Sequence, residues 1–180
     1  LTYEICAWAK ARIPNLIVVF GGPNYPNQRD EKLEFLQSHP ILDFYIENEG
    51  ELAFVGLLGE LLRYDFDITS MRKAQDPVPN CSYLSGGDII EGGNQRIQNV
   101  NVIPSPYLTG MVDEFFDMPL APMLETTRGC PFGCTFCADG LPIKNKVARF
   151  SQERVREELY YIAEHVKNID ELTLTDLNFG

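Results

Sequence analysis

Three cysteines within a stretch of eight residues form the part of the sequence best suited to chemistry: Cys130, Cys134 and Cys137. Thiolates are the protein ligands that hold iron–sulfur clusters. Pro131 and Gly133 shape a turn between them, so the three thiolates can converge on one cluster from a single loop. A cubane of about four irons held by three thiolates keeps one iron without a protein ligand. A substrate can bind at that iron and receive an electron.

Zinc is the competing occupant of such a loop. A structural zinc site takes about four ligands, usually as paired cysteines or with histidines. The nearby candidates for a fourth ligand are Asp139 and Glu125, and the nearest histidine, His165, lies well downstream. Three cysteines without a partner pair therefore favour iron–sulfur over zinc. A catalytic or purely packing role for the cysteines is the third alternative.

Composition argues against several classes of partner. The chain has 15 basic and 26 acidic residues and a net charge of −11, whereas nucleic-acid binding normally requires a basic stripe. No apolar run reaches the roughly 18 residues of a transmembrane helix. The two cysteines outside the loop, Cys6 and Cys81, fit structural packing roles. We therefore expect a cytoplasmic protein with no nucleic-acid partner and no membrane span.

The elements around the cysteine loop form a strand–loop–helix–strand unit. Residues 123–127 are predicted as a strand that leads into the loop, and residues 171–176 as a second strand. Between them, Ser151 is predicted to cap a helix whose apolar residues recur at helical spacing. This order is typical of the first repeat of a parallel β/α barrel or sheet.

The N-terminal half alternates helices and strands. The predicted helices span residues 3–12, 30–38 and 51–62, and the predicted strands span residues 16–20 and 42–46. The first strand is wholly apolar and ends at Gly21 and Gly22, as in a parallel sheet covered on both faces. The fold class is therefore α/β, with part of a doubly wound, Rossmann-like sheet in this half.

Proline content and a Gly-Gly turn mark a change of character after residue 75. Residues 76–120 are predicted as a linker that carries a β-hairpin. The domains are therefore predicted at 1–75, 76–120 and 121–180. The chain opens without an initiator Met, so we expect that it is a fragment of a longer protein.

The cysteine loop resembles a known signature. Its Cys-x₃-Cys-x₂-Cys spacing, with aromatic Phe136 before the last cysteine, is similar to that of the radical S-adenosylmethionine (radical SAM) superfamily. The flanking residues 125–131 and 149–151 resemble members that carry an N-terminal cobalamin-binding domain. The segments 21–23 and 49–51 look like later loops of that domain. The resemblance thus covers nearly the whole chain and assigns residues 121–180 to the start of a TIM-like radical SAM barrel.

This resemblance implies a chemistry and its cofactors. Cys130, Cys134 and Cys137 would hold a 4Fe–4S cluster whose open iron chelates the amino and carboxylate groups of S-adenosylmethionine. Electron transfer from an external donor of the flavodoxin or ferredoxin type would release methionine and a 5′-deoxyadenosyl radical, which abstracts hydrogen from a small-molecule substrate. Methyl transfer and cyclisation are both outcomes that the resemblance leaves open.

Further cofactor contacts follow from the same resemblance. The backbone at Phe136 would lie against the adenine, and Gly21 and Gly22 would contact the cobalamin tail. Members of the superfamily often have Gly-Gly-Glu after the second strand, to hold the methionine amino group. Here the matching place holds Asp176 and Asn178; either would substitute as a polar contact, and a solvated loop is the alternative. The Asp-x-His-x-x-Gly motif that supplies a histidine to cobalt is absent from the chain.

Two functions of different classes stay open. The first is a radical SAM enzyme that depends on cobalamin, with this fragment inactive by itself. The alternative is a cobalamin-binding or regulatory module with a non-catalytic metal loop that holds zinc or an iron–sulfur cluster. An open-iron cluster would discriminate between them, because a pure binding module does not require one.

Overall fold

The computed structural model describes residues 1–137, 140 and 146–179. The chain divides into two compact units, Leu1–Arg96 and Ile97–Gly180. The division lies between the boundaries predicted after residues 75 and 120, because the hairpin predicted in the linker is part of the first unit's sheet. The functional assignment of the three predicted segments stays a prediction.

The first unit contains a mixed four-stranded sheet. Its strands are β1 (Val19–Gly21), β2 (Phe44–Ile46), β3 (Cys81–Ser85) and β4 (Asp88–Glu91), in that spatial order. β1 and β2 are parallel, as predicted, whereas β3 and β4 are antiparallel to their neighbours. The predicted parallel arrangement is therefore confirmed for β1 and β2, and the predicted hairpin joins the same sheet instead of standing apart from it. The φ angles of Gly86 and Gly87 are +60° and +89°, and this tight turn forces the hairpin strands to run antiparallel.

Helices cover both faces of this sheet. They are α1 (Thr2–Lys10), α2 (Arg29–Ser38), α3 (Gly50–Arg63) and α4 (Ile68–Ala74). Phe44 packs with residues of α3 and α4, whereas the adjacent Tyr45 packs with residues of α2. Successive residues of a strand point to opposite faces, so the central strand β2 is buried on both sides. Sequence analysis missed α4, which Asp67 caps by accepting the N–H groups of Thr69 and Ser70.

The second unit contains the predicted strand–loop–helix–strand order. Its elements are β5 (Met123–Leu124), β6 (Thr127–Arg128), β7 (Ala148–Arg149), α5 (Gln152–His165) and β8 (Thr173–Leu174), with 3₁₀ turns at Val100–Val102 and Asp113–Phe115. β5 and β8 are parallel, and β6 and β7 are antiparallel. The predicted cap is confirmed, because Ser151 Oγ accepts the N–H of Arg154 at 3.2 Å. A complete β/α barrel stays a prediction.

Across the described residues, no helix is both long enough and apolar enough to cross a membrane.

Candidate functional site

The base of the cysteine loop is fixed to strand β8 on one side. Thr175 N donates to Leu124 O at 2.9 Å, which extends the parallel pairing of β5 and β8. One residue further on, Asp176 Oδ1 accepts the N–H groups of Thr126 at 2.6 Å and Thr127 at 3.0 Å. Asp176 Oδ2 accepts both threonine hydroxyls, with that of Thr127 at 3.1 Å. Where the pairing of β5 with β8 ends, the Asp176 carboxylate therefore serves as the hydrogen-bond acceptor for the next two backbone N–H groups.

Strand β7 holds the same segment from the other side. β6 and β7 pair antiparallel, with Thr127 opposite Arg149. Phe150 N donates to Thr126 O at 3.1 Å. Thr126 thus donates its N–H to Asp176, just after β8, and its carbonyl accepts the N–H of Phe150, just after β7. The residues that lead into the cysteine loop are therefore held on both sides.

An ion pair and a glycine complete the approach to the first cysteine. Arg128 contacts the Glu125 carboxylate through two nitrogens, with Nε–Oε1 at 3.0 Å and Nη2–Oε2 at 2.6 Å. Gly129 follows with a φ of +101°, which an L side chain rarely adopts. The chain can therefore turn sharply just before Cys130 because residue 129 is glycine.

The structure places the three loop cysteines as follows. Cys130 is half-buried, Cys134 and Cys137 are exposed, and all three are free of disulfides. Cys137 N donates to Cys134 O at 3.2 Å, and Gly140 N donates to Cys137 O at 3.1 Å. A Cβ on Gly140 would lie 2.4 Å from Cys134 O, so this glycine permits the close approach. Within the described residues, no group of three or more His, Cys, Asp or Glu side chains converges as a metal site.

The donor set nevertheless fits an iron–sulfur cluster in type and number. Three free thiols on one loop match the ligand set of a cluster with one open iron. The described candidates for a fourth zinc ligand are engaged elsewhere. Glu125 binds Arg128, and His165 Nδ1 lies 2.7 Å from Tyr161 O, with its ring stacked on that tyrosine. Asp139 lies outside the described residues.

The remaining predicted contacts of the second unit lie near the loop or after β8. Phe136 is 92% exposed, so its side chain contributes little to packing of the loop. Asn178 is also exposed. The roles of Phe136, Asp176 and Asn178 as cofactor contacts stay predictions, and four donors from Thr126 and Thr127 already occupy the Asp176 carboxylate.

The loop base also forms part of the wall of an open cleft. The cleft has a volume of about 420 Å³ and is lined by Thr126, Thr127, Arg149, Phe150, Gln152, Val155, Arg156 and Leu159. The two threonines that Asp176 holds therefore help to shape it.

In the first unit, the predicted Gly21 and Gly22 lie where β1 ends. Gly21 is paired with Ile46, so the carboxyl ends of β1 and β2 meet at one edge of the sheet. Ligands of open α/β sheets bind outside such an edge. Gly22 has a φ of +112°, and its carbonyl accepts the Tyr45 hydroxyl at 3.1 Å. The predicted contact of these glycines with cobalamin stays a prediction.

Sequence analysis missed a buried ionic cluster at this edge. Lys32 Nζ lies 2.7 Å from Glu47 Oε2 and 2.9 Å from Glu91 Oε1, and Ser82 donates to Glu47. Burial alone would lower the pKa of Lys32, but its hydrogen bonds to the two carboxylates outweigh burial and raise it. The sequence did contain a signal of this cluster. Lys32 lies beside Leu33 and Leu36, on the helix surface that faces inward.

Nearly the whole chain is similar in sequence to known methyltransferases. The cobalamin-dependent radical SAM methyltransferase TokK of Streptomyces tokunonensis is 32% identical over 98% of this chain, which covers 25% of that protein. The 2-(S-pantetheinyl)-carbapenam-3-carboxylate methyltransferase of Streptantibioticus cattleyicolor is 34% identical, with the same 98% and 25% coverage. No protein-family model matches the chain.

A solved structure shares the fold. The cobalamin-dependent S-adenosylmethionine radical enzyme OxsB, solved with aqua-cobalamin and S-adenosylmethionine bound, has a TM-score of 0.70 and 22% identity. The similarity covers 99% of this chain and 24% of OxsB. The sequence similarity to the two methyltransferases above confirms the resemblance to cobalamin-dependent radical SAM enzymes, and OxsB shows a shared fold. The chain spans about a quarter of the length of these relatives.

Proposed function

We propose that the chain is part of a cobalamin-dependent radical SAM methyltransferase. One observation carries the proposal: three free thiols lie on one loop whose base is held on both sides by strand ends. The similarity of nearly the whole chain to enzymes of this class supports it.

Cys130, Cys134 and Cys137 are the residues that would hold the 4Fe–4S cluster. When bound, such a cluster supplies the electron that cleaves S-adenosylmethionine into methionine and a 5′-deoxyadenosyl radical. The protein's part is to bind, to orient and to exclude water. The contacts of Thr126 and Thr127 fix where the loop begins, and Gly129 sets its direction toward Cys130.

The first unit is proposed to bind cobalamin at the edge where β1 and β2 end. Gly21 and Gly22 offer backbone without side chains there. The Tyr45 hydroxyl holds the Gly22 carbonyl, so the loop presents a fixed surface to the ligand. Both sequence relatives described above are methyltransferases, which favours methyl transfer over cyclisation as the outcome of the whole protein's reaction.

The other parts of the proposal concern the whole protein. Its substrate is a small molecule of unidentified structure, its electron donor is of the flavodoxin or ferredoxin type, and it acts in the cytoplasm. The alternative is a cobalamin-binding module with a non-catalytic metal loop, and the metal content of the chain separates the two.

The test is anaerobic reconstitution with iron and sulfide, followed by counting of bound iron and zinc. The proposal expects about four irons per chain. Cys134→Ala should lose most of the iron. Cys6→Ala, a cysteine of the other unit, should retain it and serves as the matched control. About one zinc per chain without iron would overturn the proposal in favour of the non-catalytic module.

A further inference from the structure

We propose that Asp176 is a positioning residue that fixes the base of the cysteine loop, and that it does not bind the cofactor directly. This inference rests on the proposed function and deepens it. It concerns the place where the resemblance predicts a contact to the methionine amino group. The side chain at that place is turned toward the protein's own backbone.

The hydrogen bonds of Asp176 divide cleanly between its two oxygens. Oδ1 accepts the two backbone N–H groups, of Thr126 and Thr127, and Oδ2 accepts the two hydroxyls of the same residues. An ionised carboxylate offers about four lone-pair sites. Four donors from one segment therefore fill its capacity, and an ammonium group of a ligand would have to displace some of them.

The location of Asp176 explains why a side chain is needed there. The backbone pairing of β8 with the first strand ends with the Thr175–Leu124 hydrogen bond. Beyond it the chain turns away from β8 to pair with β7, and Thr126 O accepts the N–H of Phe150. The N–H groups of Thr126 and Thr127 would then lack a partner in β8, and the Asp176 carboxylate supplies one.

The position of these threonines connects Asp176 to the cluster ligands. Thr127 lies three positions before Cys130, and Gly129 between them has a φ of +101°. Outer residues that orient metal ligands tune metal binding without contacting the metal. Without the Asp176 contacts, Thr126 and Thr127 would lose these four hydrogen bonds to the residue that follows β8.

Two substitutions at this position separate positioning from direct binding. In Asp176→Asn, the amide oxygen can still accept both backbone N–H groups, and the amide nitrogen can donate to the two hydroxyls, which also act as acceptors. Asp176→Ala removes all four bonds. Asp67→Ala is the matched control, because Asp67 accepts the N–H groups of Thr69 and Ser70 and the Ser70 hydroxyl in the other unit.

The experiment uses the reconstituted chain and two readouts. The first is the rate at which a chelator removes the iron, and the second is the change in the reduced electron paramagnetic resonance spectrum on addition of S-adenosylmethionine. Asp176→Ala should lose iron about 10- to 100-fold faster than the wild type, whereas Asp176→Asn and Asp67→Ala should stay near the wild-type rate. Thr126→Val, which removes one hydroxyl donor, should show a smaller acceleration and serves if Asp176→Ala does not fold.

Each result has a defined meaning. If Asp176→Asn retains its iron but loses the spectral change, Asp176 binds the cofactor through its charge and the inference is overturned. If Asp176→Ala and Thr126→Val both match the wild type in both readouts, the inference is also overturned while the proposed function stands. A wild-type chain that takes up no iron would overturn the proposed function, and the inference with it.

Discussion

The Asp176 carboxylate accepts the backbone N–H of Thr126 at 2.6 Å, across a separation of 50 residues in the sequence. This contact joins the end of the second parallel strand of the unit to the end of the first. It also lies at the entrance of the cysteine loop. The strand pair and the candidate cluster ligands are thus coupled by one side chain.

The first prediction concerns acid stability. Burial alone would raise the pKa of Asp176, but the hydrogen bonds from Thr126 and Thr127 outweigh it and lower the pKa. A depressed pKa in the folded state gives stability that is present above the unfolded-state pKa of about 3.9 and is lost as the pH falls through the folded-state value. The stability advantage of the wild type over Asp176→Asn should therefore shrink as the pH falls below about 4. Thermal unfolding of both proteins across this pH range measures it, and a constant difference would contradict the prediction.

The second prediction concerns the turn before Cys130. Gly129 has a φ of +101°, so Gly129→Ala should cost about 1–3 kcal/mol locally and reduce iron uptake. Gly59, in α3 of the other unit, is the control, because a Cβ there meets no atom of the described residues within 4 Å. Gly59→Ala should therefore bind iron like the wild type. Equal iron uptake by the two variants would show that the Gly129 turn is not required.

The third prediction tests the close approach of the two chain segments that flank the hairpin β3–β4 in the first unit. A Cβ on Gly92 would lie 1.6 Å from Val78 O, a backbone atom, so Gly92→Ala must displace the chain. We expect a loss of about 3 kcal/mol or more in the free energy of unfolding. Gly59→Ala, in α3, where a Cβ meets no described atom within 4 Å, should instead gain up to about 1 kcal/mol. Denaturant unfolding of both variants checks the opposite signs.

The fourth prediction concerns the buried ionic cluster. Lys32→Met leaves Glu47 and Glu91 without their shared cation, and breaking such a buried pair typically costs about 3–5 kcal/mol. The double variant Lys32→Met, Glu47→Gln should recover part of this loss. Lys73→Met, at an exposed lysine, should stay within about 0.5 kcal/mol of the wild type. A Lys32→Met variant as stable as Lys73→Met would refute a structural role for the cluster.

Local patterns in the sequence predicted the elements near the loop well. The apolar spacing of α5 and the hydroxyl of Ser151 are local signals. The helix and its N-terminal cap, which these signals predict, are both confirmed. The parallel pairing of β5 with β8 follows from the strand–loop–helix–strand order. The helix and its cap depend on residues only a few positions apart.

Contacts between residues that are far apart in the sequence could not be predicted from such local patterns. The hairpin β3–β4 was recognised, but nothing in its own residues indicates that β3 would pair with β2. The burial of Lys32 depends on Glu47 and Glu91, which lie on other elements. The contacts of Asp176 likewise require two strand ends to meet, although consecutive threonines after one strand and an aspartate after the next were a usable signal.

The most direct test of the central claim is the reduced electron paramagnetic resonance spectrum of the reconstituted chain, recorded with and without S-adenosylmethionine. The claim is that three thiolates leave one iron open for this cofactor. We predict a spectrum of a reduced 4Fe–4S cluster that changes when S-adenosylmethionine is added and disappears in Cys134→Ala. A cluster spectrum that S-adenosylmethionine leaves unchanged would contradict the claim, because a cluster with an open iron must respond to the ligand that binds there.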